Sequence, residues 1–345
     1  MVEILDCTIR DGSYVIDNNW TAADIKSITH GLVECGFQYI EVGPGIGLGA
    51  HRKNVKSICT DEEYVRFAAE AKQTSKIGVF FIPEIGTLED IKLFAVWGGD
   101  FIRIGADVSK SDVAKKYIEY ARELGLEVGF NFMKSYAVSP FELCKRATRI
   151  QQYGAQMISL VDSAGGMLPK EVGHYMSLLR ESIDVRLGFH GHNNLLLANA
   201  NSIAAIENGA DIIDATLMGM GRGAGNAQTE TMLVILKKMG LDTHINPMQA
   251  AAISQAYIVP KTNRLKGSDD LQLVMGDALF HDAFLDQITQ IAMTHHIDYR
   301  TLIMQVSKIN KENPSSELMD NIAQNIRLGK DPYVPAPKFY HKEMK

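Results

Sequence analysis

VRLGFHGHNNLLLANANSIAAIENGADIIDATLMG (185–219) contains one complete strand–helix–strand unit. Residues 185–190 form a short β-like run, 195–208 carry helical periodicity, and Gly209 stands where a helix end needs a left-handed residue. A second β-like run follows at 211–216 and leads into a glycine-rich loop. Working outward, the same alternation fills the chain from its start to about residue 240. The other β-like runs are 2–7, 38–43, 76–82, 100–104, 127–132 and 156–161. The other helical stretches lie near 21–35, 61–74, 87–97, 111–124, 139–153, 169–182 and 228–239. Their starts carry cap signals: Thr21 before Asp24, Thr60 before three acids, and Ser139 before Pro140. Gly36, Gly125, Gly154 and Gly240 close helices as Gly209 does. Eight strand–helix pairs predict an α/β fold, a (β/α)8 TIM barrel over 1–240. A doubly wound sheet competes but usually has fewer strands per domain.

After 241 the alternation stops. Helical stretches near 247–257, 269–295, 299–308 and 315–327 predict a helical C-terminal region, 241–345, ending in an extended Pro-rich tail at 331–337. The 345 residues are 46% hydrophobic and 22% charged, with a net charge of -6, as expected of an ordinary soluble protein. No basic run suggests nucleic acid, and no apolar stretch approaches the roughly 20 residues that span a bilayer. Cys7, Cys35, Cys59 and Cys144 form no CxxC and read as reduced thiols. With no secretory leader pattern at the start, a cytoplasmic location is expected.

In a barrel, the loops at the C-terminal strand ends share one mouth. That convergence joins Arg10-Asp11, the loops 43–49 and 219–226, Ser163, and His190 with His192. The two histidines stand two apart, so a strand puts them on one face. With the Asp11 carboxylate they make a divalent-metal site, for which Mn, Fe, Co, Ni and Zn suit the imidazoles. Asn226 is a further oxygen ligand or a backbone cap. Arg10 is an always-charged donor for an enolate or carboxylate, and Ser163 can bind a substrate carboxylate. The glycine-rich loops fit a dinucleotide fingerprint only loosely and read as tight turns. No GxSxG elbow is present, and Lys134, the one Schiff-base candidate, reads as a surface lysine.

These motifs resemble the DRE-TIM metallolyase superfamily, which carries Arg-Asp after the first barrel strand and HxH after the seventh. Its third hallmark letter is Gly12 here, not Glu. Within the superfamily, DCTIRDGSY (6–14), YIEVGPGIGLGAHR (39–52), LVDSAGGMLP (160–169) and 188–230 are most similar to the 4-hydroxy-2-oxovalerate aldolase branch, the HMGL-like pyruvate aldolases. The resemblance implies Asp11, His190 and His192 as ligands of Mn2+, with Mg2+, Co2+ or Zn2+ as alternatives. It implies aldol cleavage of a 4-hydroxy-2-oxo acid to an aldehyde and a pyruvate enolate, which Arg10 stabilises. It also implies a homo-oligomer and an aldehyde dehydrogenase partner. Where those aldolases carry a histidine base, this chain has Tyr14, a poor base at an ordinary pKa near 10. Where they place an active-site tyrosine, GDALFHDAFL (276–285) offers His281. An exchange of roles is therefore expected, in which Tyr14 orients and His281, or a water on the metal, moves the proton. A changed aldehyde, such as one derived from a sugar, goes with that departure. Two other readings are a Claisen-type acyltransferase like isopropylmalate or homocitrate synthase, and a catalytically silent subunit of a dehydrogenase complex. Acetyl-CoA turnover would mark the first, and metal binding without enolisation the second.

Overall fold

The computed structural model describes residues 2–262 and 270–327. Eight parallel strands close into a barrel in chain order: β1 (Glu3–Asp6), β2 (Tyr39–Val42), β3 (Lys76–Phe81), β4 (Phe101–Asp107), β5 (Glu127–Met133), β6 (Met157–Asp162), β7 (Arg186–Gly191) and β8 (Ile212–Ala215). Closure is through β1, which pairs with both β2 and β8. Helices α1 (Ala22–Cys35), α2 (Asp61–Ala71), α3 (Leu88–Val96), α4 (Lys115–Glu123), α5 (Pro140–Gln152), α6 (Pro169–Ser182), α7 (Ala198–Glu207) and α8 (Thr229–Lys238) follow the strands in turn. The expected (β/α)8 barrel is what the chain forms. Thr21, Thr60 and Thr87 each close a capping box with the acid three residues on. The five helix-closing glycines all have positive φ. At Gly36 a Cβ would also stand 2.9 Å from the carbonyl oxygen of His244, so a side chain is excluded twice over.

The barrel interior is apolar at one end, where Leu5, Cys7, Tyr39, Phe101, Met157 and Ile212 pack together. Elsewhere inside the barrel, buried charges stand on three strands: Glu41, Arg103 and Asp214. Gly129 pairs with Arg103 across β4 and β5, and a Cβ there would press on the arginine stem at 3.1 Å.

Beyond the barrel lie α9 (Pro247–Ile253), α10 (Asp270–Ala278), α11 (Leu285–His295), α12 (Tyr299–Ile309) and α13 (Ser316–Arg327). Ile245, Ala250, Ile253 and Ile258 join the large barrel core, while Phe280, Ile288, Leu302, Val306 and Met319 form a second core. Two expected helices differ from the structure. The stretch 195–208 starts its helix only at Ala198, because Leu196 takes φ 59° and the Asn193 side chain accepts from the Ala198 N–H. The stretch 269–295 is not one helix. It breaks after Ala278, where Leu279 takes φ 54° and Phe280 turns into the second core. A left-handed leucine leaves no glycine to mark it in the sequence. The tail expected at 331–337 lies outside the described residues. Among the described residues no helix is long and apolar enough to cross a membrane, and all four cysteines are free and buried.

Candidate active site

The turn after β1 presents Arg10 and Asp11, and β7 delivers His190 and then His192. One ligand atom each from Asp11, His190 and His192 lie within 4.8 Å of one another, and all three residues are buried. The loop after β8 folds back so that Asn226 bridges the backbone of His192. The Asn226 side-chain amide donates to Asp11 Oδ2, and its own Oδ1 is buried without a hydrogen-bond partner. A buried orphan carbonyl oxygen beside a carboxylate and two imidazoles is a donor set that fits a divalent cation.

A chain of buried ion pairs runs from this cluster into the barrel. Arg10 Nη1 meets Asp11 at 2.8 Å, and Arg10 Nε meets Glu41 at 2.5 Å. The other oxygen of Glu41 binds Arg103 Nε at 2.6 Å, Arg103 Nη1 binds Asp214 at 2.5 Å, and Asp214 meets His190 Nδ1 at 2.8 Å. Both ends therefore reach the cluster of Asp11, His190 and His192. Asp214 holds His190 Nδ1, which leaves Nε2 as the ring atom open to a cation, the arrangement that a carboxylate gives a metal-binding histidine. Cys7, His190 and Asp214 also stand close enough together to hold a cation. The guanidinium of Arg103 already serves Cys7 and Asp214, with Nη2 3.2 Å from Cys7 Sγ.

The electrostatics agree with this wiring. Burial pushes Asp11 up, but Arg10, His192 and His190 outweigh it and hold the carboxyl well below the usual range. Burial pulls the His192 imidazole down to about 4, with Asp11 opposing, so it is neutral and able to donate its lone pair at neutral pH. Asp214, raised by burial, is brought to about 2 chiefly by Arg103 and His190. Burial alone would lower Arg10, yet Glu41 and Asp11 keep it above its ordinary value.

Around this centre, Ser163 Oγ accepts the Lys134 N–H at 2.9 Å and keeps its own hydrogen to donate. Its loop presses on the His192 backbone, since a Cβ on Gly165 would stand 2.7 Å from the His192 carbonyl carbon. Lys134 is not a surface lysine: it is buried at the end of β5, in a left-handed turn. Its Nζ meets Asp107 at 3.0 Å and the Glu312 carbonyl at 2.6 Å, and lies over the Phe284 ring. These contacts tie the barrel to the C-terminal helices and engage the amine that a Schiff base would need free. Tyr14 lies under the Arg222 guanidinium, 4.3 Å from its ring centre, and burial pushes its phenol up to about 12. At neutral pH it is therefore a neutral phenol. The break after α10 places His281 where burial, then Arg222, Lys134 and His192, push its imidazole well below the ordinary range. Its Nδ1 accepts the Ala283 N–H, so the neutral ring carries its proton on Nε2.

A model of the HMGL-like family matches residues 1–256. The chain belongs to this family. A 4-hydroxy-2-oxovalerate aldolase of Bacillus cereus is 34% identical over 94% of this chain and 96% of its own length. Among solved structures, the N-terminal domain of a candidate aldolase from Bacteroides vulgatus superposes with a TM-score of 0.71 at 29% identity, covering 84% of this chain and 97% of that one. The carboxyl transferase domain of Rhizobium etli pyruvate carboxylase gives 0.76 at 16% identity, covering 95% and 60%, a likeness of fold.

In this HMGL-like chain, sequence reasoning missed Glu41, Arg103, Asp214 and Arg222. The first three had a signal: each is a lone charge inside an apolar run, in YIEV, FIRI and IIDA. A charge that a strand buries needs a partner on another strand. Arg222 lay inside a glycine-rich loop and had no such contrast. The wiring also makes a titration prediction. By NMR, His192 in the metal-free protein should stay neutral down to about pH 4. In Asp11→Asn its midpoint should fall further, because the carboxylate that favours the imidazolium is gone. A midpoint near 6.5, or a rise in the variant, would contradict the arrangement.

Proposed function

We propose that this chain is a divalent-metal-dependent aldolase that cleaves or forms a 4-hydroxy-2-oxo acid by way of a pyruvate enolate. The observation that carries the reading is the convergence of Asp11, His190, His192 and Asn226 with the charged edge of Arg10. It is supported by the Bacillus cereus relative's designation as a 4-hydroxy-2-oxovalerate aldolase over most of both chains. A cation there, Mn2+ in the first instance, supplies Lewis-acid polarisation of the 2-oxo group.

The protein's own side chains do the rest. Arg10 has Nε and Nη1 committed to Glu41 and Asp11, so its guanidinium is locked in orientation with Nη2 left for an oxygen that gains negative charge. The Ser163 hydroxyl donates to the carboxylate of the 2-oxo acid. Tyr14, held as a neutral phenol, orients the 4-oxygen. His281, with its proton on Nε2, hydrogen-bonds that same oxygen and steadies the charge it carries at the transition state, while a water takes or gives the proton; this role refines the expected exchange with Tyr14. The reading also includes a cytoplasmic homo-oligomer that hands its aldehyde to a dehydrogenase.

The test is pyruvate release from racemic 4-hydroxy-2-oxovalerate, followed by coupled reduction. Chelation should abolish release and Mn2+ should restore it. His281→Ala should bind Mn2+ as the wild type does and release pyruvate on the order of 10^2-fold more slowly. Full activity after chelation would refute the metal, and full activity of His281→Ala would remove that residue from the chemistry.

A further inference from the structure

Beside the metal cluster lies a cavity of about 900 Å³. Among the described residues its lining includes Tyr14, Asp17, Arg222, Lys261 and Asp282, with Val15 and Ile16 as the aliphatic part. Gly221 also lines it and joins it to the metal cluster: a Cβ on Gly221 would stand 2.7 Å from the Asn226 side chain, which in turn bonds Asp11. The cavity therefore borders the proposed ligands at Gly221.

From this placement we propose that the cavity is the aldehyde subsite and that it selects a neutral polyhydroxylated aldehyde, such as a short sugar aldehyde, over an alkyl aldehyde. The inference rests on the aldolase reading above. Most of the charge in the cavity wall is paired, and the exposed Asp17 carboxylate adds an acceptor at its rim. Arg222 meets Asp282 at 3.1 Å, and Lys261 meets Asp24 at 2.8 Å. The Arg222–Asp282 pair is only partly open, with side chains 23% and 18% exposed, so a ligand in the cavity strips its remaining water. An alkyl chain returns no hydrogen bonds for that loss, and the stripped ion pair then costs free energy. Vicinal hydroxyls do return them. Each accepts from the guanidinium and donates to the carboxylate, and Tyr14, stacked on the same guanidinium, offers a third polar contact. Both cations already have carboxylate partners, so the wall matches a neutral chain better than a phosphorylated or carboxylated one.

The condensation balances without a further reactant. A C3 proton leaves pyruvate, and the C3 electron pair forms the bond to the aldehyde carbon. The carbonyl oxygen takes up one proton and becomes the 4-hydroxyl.

The experiment uses the Mn2+-loaded full chain with pyruvate and three acceptors: D-glyceraldehyde, propanal and D-glyceraldehyde 3-phosphate. D-Glyceraldehyde should exceed each of the others in kcat/KM by at least about tenfold, since a site built to pair hydroxyls rejects a chain without them. Asp282→Asn, which keeps shape, and Arg222→Met should each shrink the glyceraldehyde-to-propanal ratio toward one. Equal or better use of propanal, or of the phosphate ester, overturns the subsite. So does an unchanged ratio in both variants. Exchange of the methyl protons of pyruvate separates the two levels: if the wild type exchanges them but prefers propanal, only the subsite fails. If it exchanges none, the aldolase reading fails and the subsite falls with it.

Discussion

His190→Ala should lose metal binding and slow the exchange of pyruvate methyl protons by about 10^3-fold or more, the scale of the several kcal/mol that a Lewis acid contributes. His190 is the sharpest of the proposed ligands to test because one ring joins two systems. Its Nδ1 is taken by Asp214, which leaves only Nε2 for the cation. Asp214→Asn should therefore give a graded result. The ring keeps a partner of the same shape but loses the carboxylate that sets its tautomer, and Mn2+ affinity should fall about 10- to 100-fold. Isothermal titration with Mn2+ measures both. Wild-type affinity in His190→Ala would show that the histidine pair is structural.

Arg103→Met should be the most damaging substitution to the fold itself. The side chain is fully buried and pairs two carboxylates, Glu41 and Asp214, across the barrel interior. A methionine of similar length leaves Glu41 with Arg10 alone and Asp214 with His190 alone. Removing one member of a buried ion pair typically costs about 3–5 kcal/mol, because the charge left behind is poorly compensated. The loss should depend on pH. With Arg103 present, Asp214 is held near 2, below its unfolded value. Without it, burial raises both carboxyls, so the folded variant binds protons that the unfolded chain does not. Its deficit should then be largest near pH 8 and shrink as pH falls through the new, raised values. Denaturant midpoints at pH 8 and pH 5.5 measure this. A midpoint equal to that of the wild type at pH 8 would mean that the interior charges are not coupled. Arg103→Lys should not restore stability, since one ammonium cannot reproduce the guanidinium fork that serves Glu41, Asp214 and Cys7 together.

The barrel was legible because its signals are local and repeated. Capping boxes at Thr21 and Thr60, and glycines after helices, mark element ends with chemistry that depends on adjacent residues. The convergence of Asp11, His190 and His192 was legible because barrel topology converts strand-end position into proximity, so residues far apart in sequence could be joined without a contact in sequence. What stayed hidden depends on non-local partners or on backbone strain. Lys134 looked like a surface lysine because Asp107, Glu312 and Phe284, which bury it, come from three separate segments. The break at Leu279 is a left-handed turn at a residue type that rarely adopts one. Without it 269–295 reads as one helix, and with it His281 lies at the start of a new turn, among the charges of the site.

The central claim is that Arg10, Asp11 and the two histidines form a metal-assisted enolisation site, and one measurement bears on it most directly. Pyruvate is incubated with the protein in deuterated water, with Mn2+ or with a chelator, and the methyl signal is followed by NMR. The assay needs no knowledge of the aldehyde. The methyl protons should exchange with Mn2+ and should stop exchanging when it is removed. Tight Mn2+ binding with no exchange at any concentration of pyruvate would contradict the account and leave the chain a silent metal-binding subunit.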